Sequence, residues 1–184
     1  MKSITDFLIG LMNFTLGVTW ESSRQYRLQD ELRPESRILV LEVPFPNDEV
    51  CFLQIITIPP DVPMKGIQKA FLICHSPSAL WVALPADEKS VVPETVLKMM
   101  NQHRRTVPIQ MMITRVTGSF ECKDLDFQYH SLHVFNSSML PNTIMFYDPS
   151  HRTQHKSRRE LWKENESSYK TLLSTLLMKN DITS

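Results

Sequence analysis

Residues able to hold a metal or move a proton are few in this chain and poorly spaced for either task. His130-x-x-His133 lies in a run, 127–135, that reads as a strand, where an i, i+3 pair points to opposite faces and cannot share one ion. His151-x-x-x-His155 has a spacing that suits a helix. It sits among basic residues that repel a cation, so these histidines read as solvated or phosphate-facing. Cys74-His75 has no third group to orient it, and Asp124-x-Asp126 has no partner that would raise a carboxyl pKa for acid catalysis. G-x-S-x-G and H-E-x-x-H are absent, and four glycines leave little from which to build a phosphate-cradling loop. The sequence therefore offers no catalytic residue, no metal site and no cofactor. It reads as a protein that works through its surfaces.

Charge supplies the positive signals. Equal numbers of basic and acidic residues, 20 each, cancel over the whole chain. The distribution is uneven: residues up to Met64 are net acidic and the remainder net basic. Arg152, Lys156, Arg158, Arg159 and Lys163 fall close together with Glu160 as the one acid among them. Screening limits each charge to roughly 8–10 Å, so such a cluster can attract phosphate whatever the net charge. It reads either as a phosphate-contacting arm on a flexible connection or as the solvated start of a helix. Arg104-Arg105 is a second pair, and Arg24 and Arg27 would join it if residues 14–20 and 107–117 were neighbouring strands. The acidic half is a candidate surface for the basic half of another copy, which favours a head-to-tail homo-oligomer. Two apolar segments, Pro59–Met64 and Pro77–Val82, either present Val62, Met64 and Trp81 to a partner or bury them in the core.

The elements that must position these residues are partly legible. With 184 residues and 42% apolar content, the chain reads as one domain, 1–184, able to bury about two-thirds of its unfolded surface. Twelve prolines punctuate short apolar runs. Ile4, Phe7, Leu8, Leu11 and Met12 share one face of a short N-terminal amphipathic helix opened by a Ser3-x-x-Asp6 capping box. Phe14, Leu16, Val18 and Trp20 alternate with polar residues, the period of a strand. Ser36–Val43 and Glu49–Ile58 read as a hairpin around Pro44–Asp48. Ala70–Cys74 reads as a strand or a buried helix turn, and Ala79–Leu84 as a strand. Pro93 opens a helix to about Gln102. Strands at 107–117, 127–135 and 143–147 and an amphipathic helix over Ser157–Met178, after the basic segment 151–163, complete an α+β fold. Its expected form is a twisted, mainly antiparallel sheet packed on helices. No run approaches the ~20 apolar residues of a membrane span. Three widely spaced cysteines fit a reducing compartment.

Several of these residues resemble a known pattern. Phe14-Thr15, Thr19, Ser23-Arg24, Tyr26-Arg27 and Asp30 are similar to the strand and arginine arm near the start of the core of rhabdovirus matrix proteins. His103-Arg104-Arg105, Gly118 and Asp124 resemble that family's paired-arginine strand and turn, and Phe135-Asn136-Ser137-Ser138 a later motif. The resemblance spans about residues 14–138. It implies a large twisted antiparallel sheet with helices and a smaller sheet. It also implies a structural protein of an enveloped negative-strand RNA virus, lying in the virion beneath the envelope and at the membrane periphery of the infected cell. Such a protein self-associates, condenses the viral nucleocapsid, contacts anionic membrane, supports budding and meets host factors.

The family's animal-virus members carry a lysine-rich N-terminal extension with a proline-tyrosine motif. Neither is seen here, which resembles plant-infecting members and shifts the expected lipid or nucleocapsid contact to 151–163. Two other readings remain open: a single-stranded RNA-binding or silencing-suppressor protein, which needs aromatics beside its arginines, and a protein-interaction adaptor.

Overall fold

The structure, a computed structural model, describes residues 3–26, 28, 38–45, 48–59, 61–74, 77–86, 92–116, 128–136 and 152–177. The expected strand at 143–147 and the resemblance residues Arg27, Asp30, Gly118, Asp124, Ser137 and Ser138 lie outside them. In chain order the elements are α1 (Ser3–Thr15), β1 (Leu39–Phe45), β2 (Asp48–Thr57), α2 (Met64–Cys74), β3 (Leu80–Pro85), α3 (Glu94–His103), β4 (Ile109–Val116), β5 (Ser131–Asn136) and α4 (Arg152–Leu177). The fold is α+β, with the short N-terminal helix and the C-terminal helix in place.

The sheets are arranged differently from the expectation. β1 and β2 form the antiparallel hairpin, from Leu39 opposite Thr57 to Phe45 opposite Asp48. β3, β4 and β5 form a separate sheet in that order, and both pairings are parallel. The cause lies in connection length and burial. Parallel neighbours need a crossover, which α3 supplies between β3 and β4, and their central strand is buried on both faces. Ile109, Gln110, Met111, Met112, Ile113 and Thr114 are all buried. That unbroken run contains no hydrophobic-polar alternation, the mark of a parallel core strand.

The pleat divides the core into two layers. Ile109, Met111 and Ile113, with Val82 and Leu84, meet Ile67 of α2 and Met99 and Met100 of α3. On the opposite face, Met112 and Phe135 meet Phe7, Leu8 and Leu11 of α1 and Tyr169, Leu172 and Leu173 of α4. Leu41, Phe45, Leu53 and Ile55 of the hairpin close over this second layer. The Phe7 ring stands edge-on to Phe135, 5.1 Å between centroids, and Phe135 lies 4.8 Å from Tyr169. Burial and nearby Asp6 push the Tyr169 phenol well above its ordinary pKa, so it stays a neutral donor to the Phe7 carbonyl at 3.4 Å.

Residues 14–20 do not form the expected strand. α1 runs through Phe14 to Thr15 and ends in a left-handed turn at Gly17, φ +70°. The Val18 N–H donates to the Asn13 carbonyl at 2.9 Å and the Gly17 N–H to the Phe14 carbonyl at 3.1 Å, the paired bonds of a Schellman stop. Phe14 instead stacks on Tyr169 at 5.6 Å. Buried Asn13 donates to the Ile9 and Tyr26 carbonyls and accepts the Tyr26 N–H, tying the following arm to the helix. Ala70–Cys74 is the last part of helix α2, and the basic segment lies within α4, which begins at Arg152.

Candidate functional site

Three bonds fix the direction of α4 against the sheet. Gln110, at the start of β4, donates from its amide to the Thr175 hydroxyl. The Ser168 hydroxyl donates to the Val134 carbonyl at 2.9 Å, and the Asn136 N–H, at the end of β5, donates to Oδ1 of buried Asn165 at 2.8 Å. α4 therefore runs antiparallel to β4 and β5. Its first turns, carrying Arg152, Lys156, Arg158, Arg159 and Lys163, continue past the C-terminal ends of the strands. From Asn165 back to Arg152 this extension spans roughly 20 Å at 1.5 Å per residue.

Arg104 and Arg105 lie at the other end. α3 stops with the Arg104 N–H on the Met100 carbonyl at 2.8 Å, and a turn returns the chain through buried Val107 to β4. Because β5 is β4's parallel neighbour, its lead-in lies beside this turn. The His130 N–H donates to the Ile109 carbonyl at 2.7 Å, and the Ile109 N–H donates to His130 Nδ1 at 2.9 Å. Arg104 and Arg105 with Gln128, Tyr129 and His130 line an open concavity of about 690 Å³.

The chemistry of this concavity is one-sided. Each guanidinium offers donors only. A backbone N–H can only donate, so His130 Nδ1 is the acceptor in this bond and Nε2 is left as the ring's donor. Among the described residues no carboxylate lines the wall and neither arginine is in an ion pair. The negative end of the α3 dipole lies close by and is complemented by both arginines. The described lining suits an anion.

The Arg104–Arg105 concavity and the basic start of α4 are thus at opposite ends of the sheet. β5 alone puts roughly 20 Å between the concavity and the α4 extension. Residues 14–20 are helix and turn, so the strand pairing that would have brought Arg24 to Arg104 and Arg105 does not form. Arg159 pairs with Glu21, whose carboxyl a backbone hydrogen bond and the Arg159 guanidinium hold below the usual carboxylate range. Lys163 is exposed, and the side chains of Arg152, Lys156 and Arg158 lie outside the described residues.

Val62, Met64 and Trp81, the three expected partner-contact residues, are half-buried against the two core layers. Val62 and Met64 pack against the α2–α3 core, and Trp81 meets Phe7 edge-on at 6.2 Å. Phe52, at 64%, and Leu72, at 72%, are the most exposed large apolar side chains among the described residues.

Sequence reasoning weighed His130 only as a metal ligand and passed over Gln128 and Tyr129. The available signal was that an arginine pair and a polar-aromatic triplet each immediately precede a strand. That brings them together only if the strands are parallel neighbours. His133, only 5% exposed, lies against the Ser131 hydroxyl at 3.0 Å, and burial pushes its pKa below the ordinary 6.5. Among the described residues no cluster of three or more potential ligands could hold a metal, and no helix is long and apolar enough to cross a membrane. No family model, no curated protein and no solved structure matches the chain.

Proposed function

We propose that this chain is a non-enzymatic viral structural protein of the matrix kind, which joins nucleocapsid to anionic membrane through two separate basic ends. One observation carries the reading: Arg104 and Arg105 rim a concavity at the N-terminal ends of β4 and β5, while the antiparallel α4 carries Arg152 to Lys163 past the opposite end. A layer between two polyanions needs cationic contacts on two sides, and phosphate attraction is local enough for the ends to act independently. Likeness of Arg24 and His103–Arg105 to the rhabdovirus matrix pattern supports the same reading. The fold does not add to it, because Phe14-Thr15 is helical and the larger sheet is parallel.

The concavity faces nucleocapsid and the α4 extension faces lipid. Self-association through the net acidic and net basic halves would build the layer, beneath a virion envelope. A second reading, an RNA-binding protein with no membrane role, is favoured by Tyr129 lying beside the arginines.

Co-sedimentation of purified protein with phosphatidylserine vesicles and labelled RNA tests both. The full chain should carry RNA down with vesicles. R104E/R105E should lose RNA and keep vesicles, and R152E/K156E/R158E the reverse. Loss of both ligands in both variants, or of neither, overturns the two-ended assignment. RNA binding with no vesicle binding by the unaltered chain selects the second reading.

A further inference from the structure

Resting on the reading of the Arg104–Arg105 concavity as a nucleocapsid contact, we propose that its ligand is single-stranded nucleic acid, held by phosphates on the two guanidiniums and by a base laid against Tyr129. Three features of the site select this ligand among polyanions.

First, the described lining offers donors that an anion can use: two guanidiniums and the Nε2–H of His130, whose other ring nitrogen is occupied by the Ile109 N–H at 2.9 Å. The Ile109 N–H holds the His130 ring, and the His130 backbone N–H, on the Ile109 carbonyl at 2.7 Å, holds its main chain, so the residue is positioned before a ligand arrives.

Second, the same wall carries an aromatic ring that is not in the core. Tyr129 is 36% exposed and sits between Gln128 and His130, both exposed. Phosphate recognition alone has no use for a π-face, whereas an unpaired base does, and every base can use one. Gln128, with a donor and an acceptor on one amide, can meet the edge of such a base without selecting among the four.

Third, the site is recessed between the α3–β4 turn and the β5 lead-in. A linear strand can enter a recess, whereas a bilayer surface meets projecting residues, and a duplex keeps its bases stacked away from Tyr129.

Fluorescence anisotropy with a labelled 12-nucleotide oligouridylate, and with inorganic polyphosphate as a baseless competitor, tests the inference. Y129L should weaken oligouridylate binding roughly tenfold or more, as loss of one stacked base implies, and leave polyphosphate competition unchanged. Y129F, which keeps the ring, should bind oligouridylate nearly as the unaltered chain does. R104A/R105A should weaken both ligands and flatten the salt dependence. A duplex of the same length should bind more weakly than the single strand. Circular dichroism on each variant confirms that the fold persists.

Equal affinity of Y129L and the unaltered chain for oligouridylate, with R104A/R105A impaired for both polyanions, overturns the nucleotide inference and leaves the nucleocapsid contact standing. Indifference of both polyanions to R104A/R105A overturns the contact itself. Vesicle binding that depends on Arg104 and Arg105, without oligouridylate binding, overturns the inference in favour of lipid.

Discussion

The Ile109 N–H donates to Nδ1 of His130 at 2.9 Å, across 21 positions of sequence. This bond closes the start of the parallel β4–β5 pair and fixes which ring nitrogen faces outward. It also holds the lead-in to β5 against the turn that bears Arg104 and Arg105. H130A removes the acceptor and leaves the Ile109 N–H to find water. We expect a stability loss of about 1–2 kcal/mol and looser order at Gln128 and Tyr129, measured by urea denaturation and amide exchange. Unchanged exchange at Ile109 in H130A would contradict the clamp.

Asn13 has its side chain wholly buried, with bonds to the Ile9 carbonyl and to both backbone groups of Tyr26. N13A should cost about 1–3 kcal/mol and free the Thr19–Tyr26 arm. Limited proteolysis should then cut between residues 19 and 26 much faster than in the unaltered chain, and equal rates would show that the arm is held by other contacts.

The Tyr169 ring lies among Phe7, Phe14 and Phe135, while its hydroxyl makes one long bond to the Phe7 carbonyl. Ring burial should dominate. Y169F is expected to cost no more than about 1 kcal/mol and Y169A about 3–5 kcal/mol, read from denaturant midpoints at constant slope. Similar losses in the two variants would mean that the hydroxyl matters more than the ring.

Gly17 adopts φ +70°, and a Cβ added there would meet nothing within 4 Å. G17A should therefore cost only the backbone preference, about 1 kcal/mol, and G17V somewhat more because of its β-branch. A loss several-fold larger for alanine would place an unseen contact at this turn.

His133 gives a pH dependence with a definite sign. Its folded pKa lies below the unfolded value near 6.5, so below that pH the unfolded chain binds more protons than the native one. The stabilisation is fully present above about pH 6.5 and is lost as pH falls through the folded value. A melting-temperature profile between pH 7.5 and 4.5 should decline on the acid side, and H133Q should decline less over the same window. Parallel profiles would assign the acid limb to other groups.

Local patterns in the sequence determined the local elements. The apolar periodicity of Ile4 to Met12 and of Trp162 to Leu176, Pro93 ahead of α3, and the paired runs of the hairpin each act within a few residues, where helical and strand periods are set. The same reasoning mistook Phe14–Trp20 for a strand because alternation over seven residues is indifferent to a helix that arrives already formed. The Gly17 stop and the burial of Phe14 on Tyr169 decided that segment. The arginines were likewise visible as charges, but their grouping was not.

Strand direction is a non-local property. Only after β4 and β5 pair in parallel do the residues preceding each strand meet, bringing Arg104 and Arg105 to Tyr129 and His130. That pairing also sends the basic start of α4 to the far end. Composition and spacing settled which charges the chain carries. Tertiary structure alone settled which of them act together, because charges attract a ligand jointly only within a Debye length of one another.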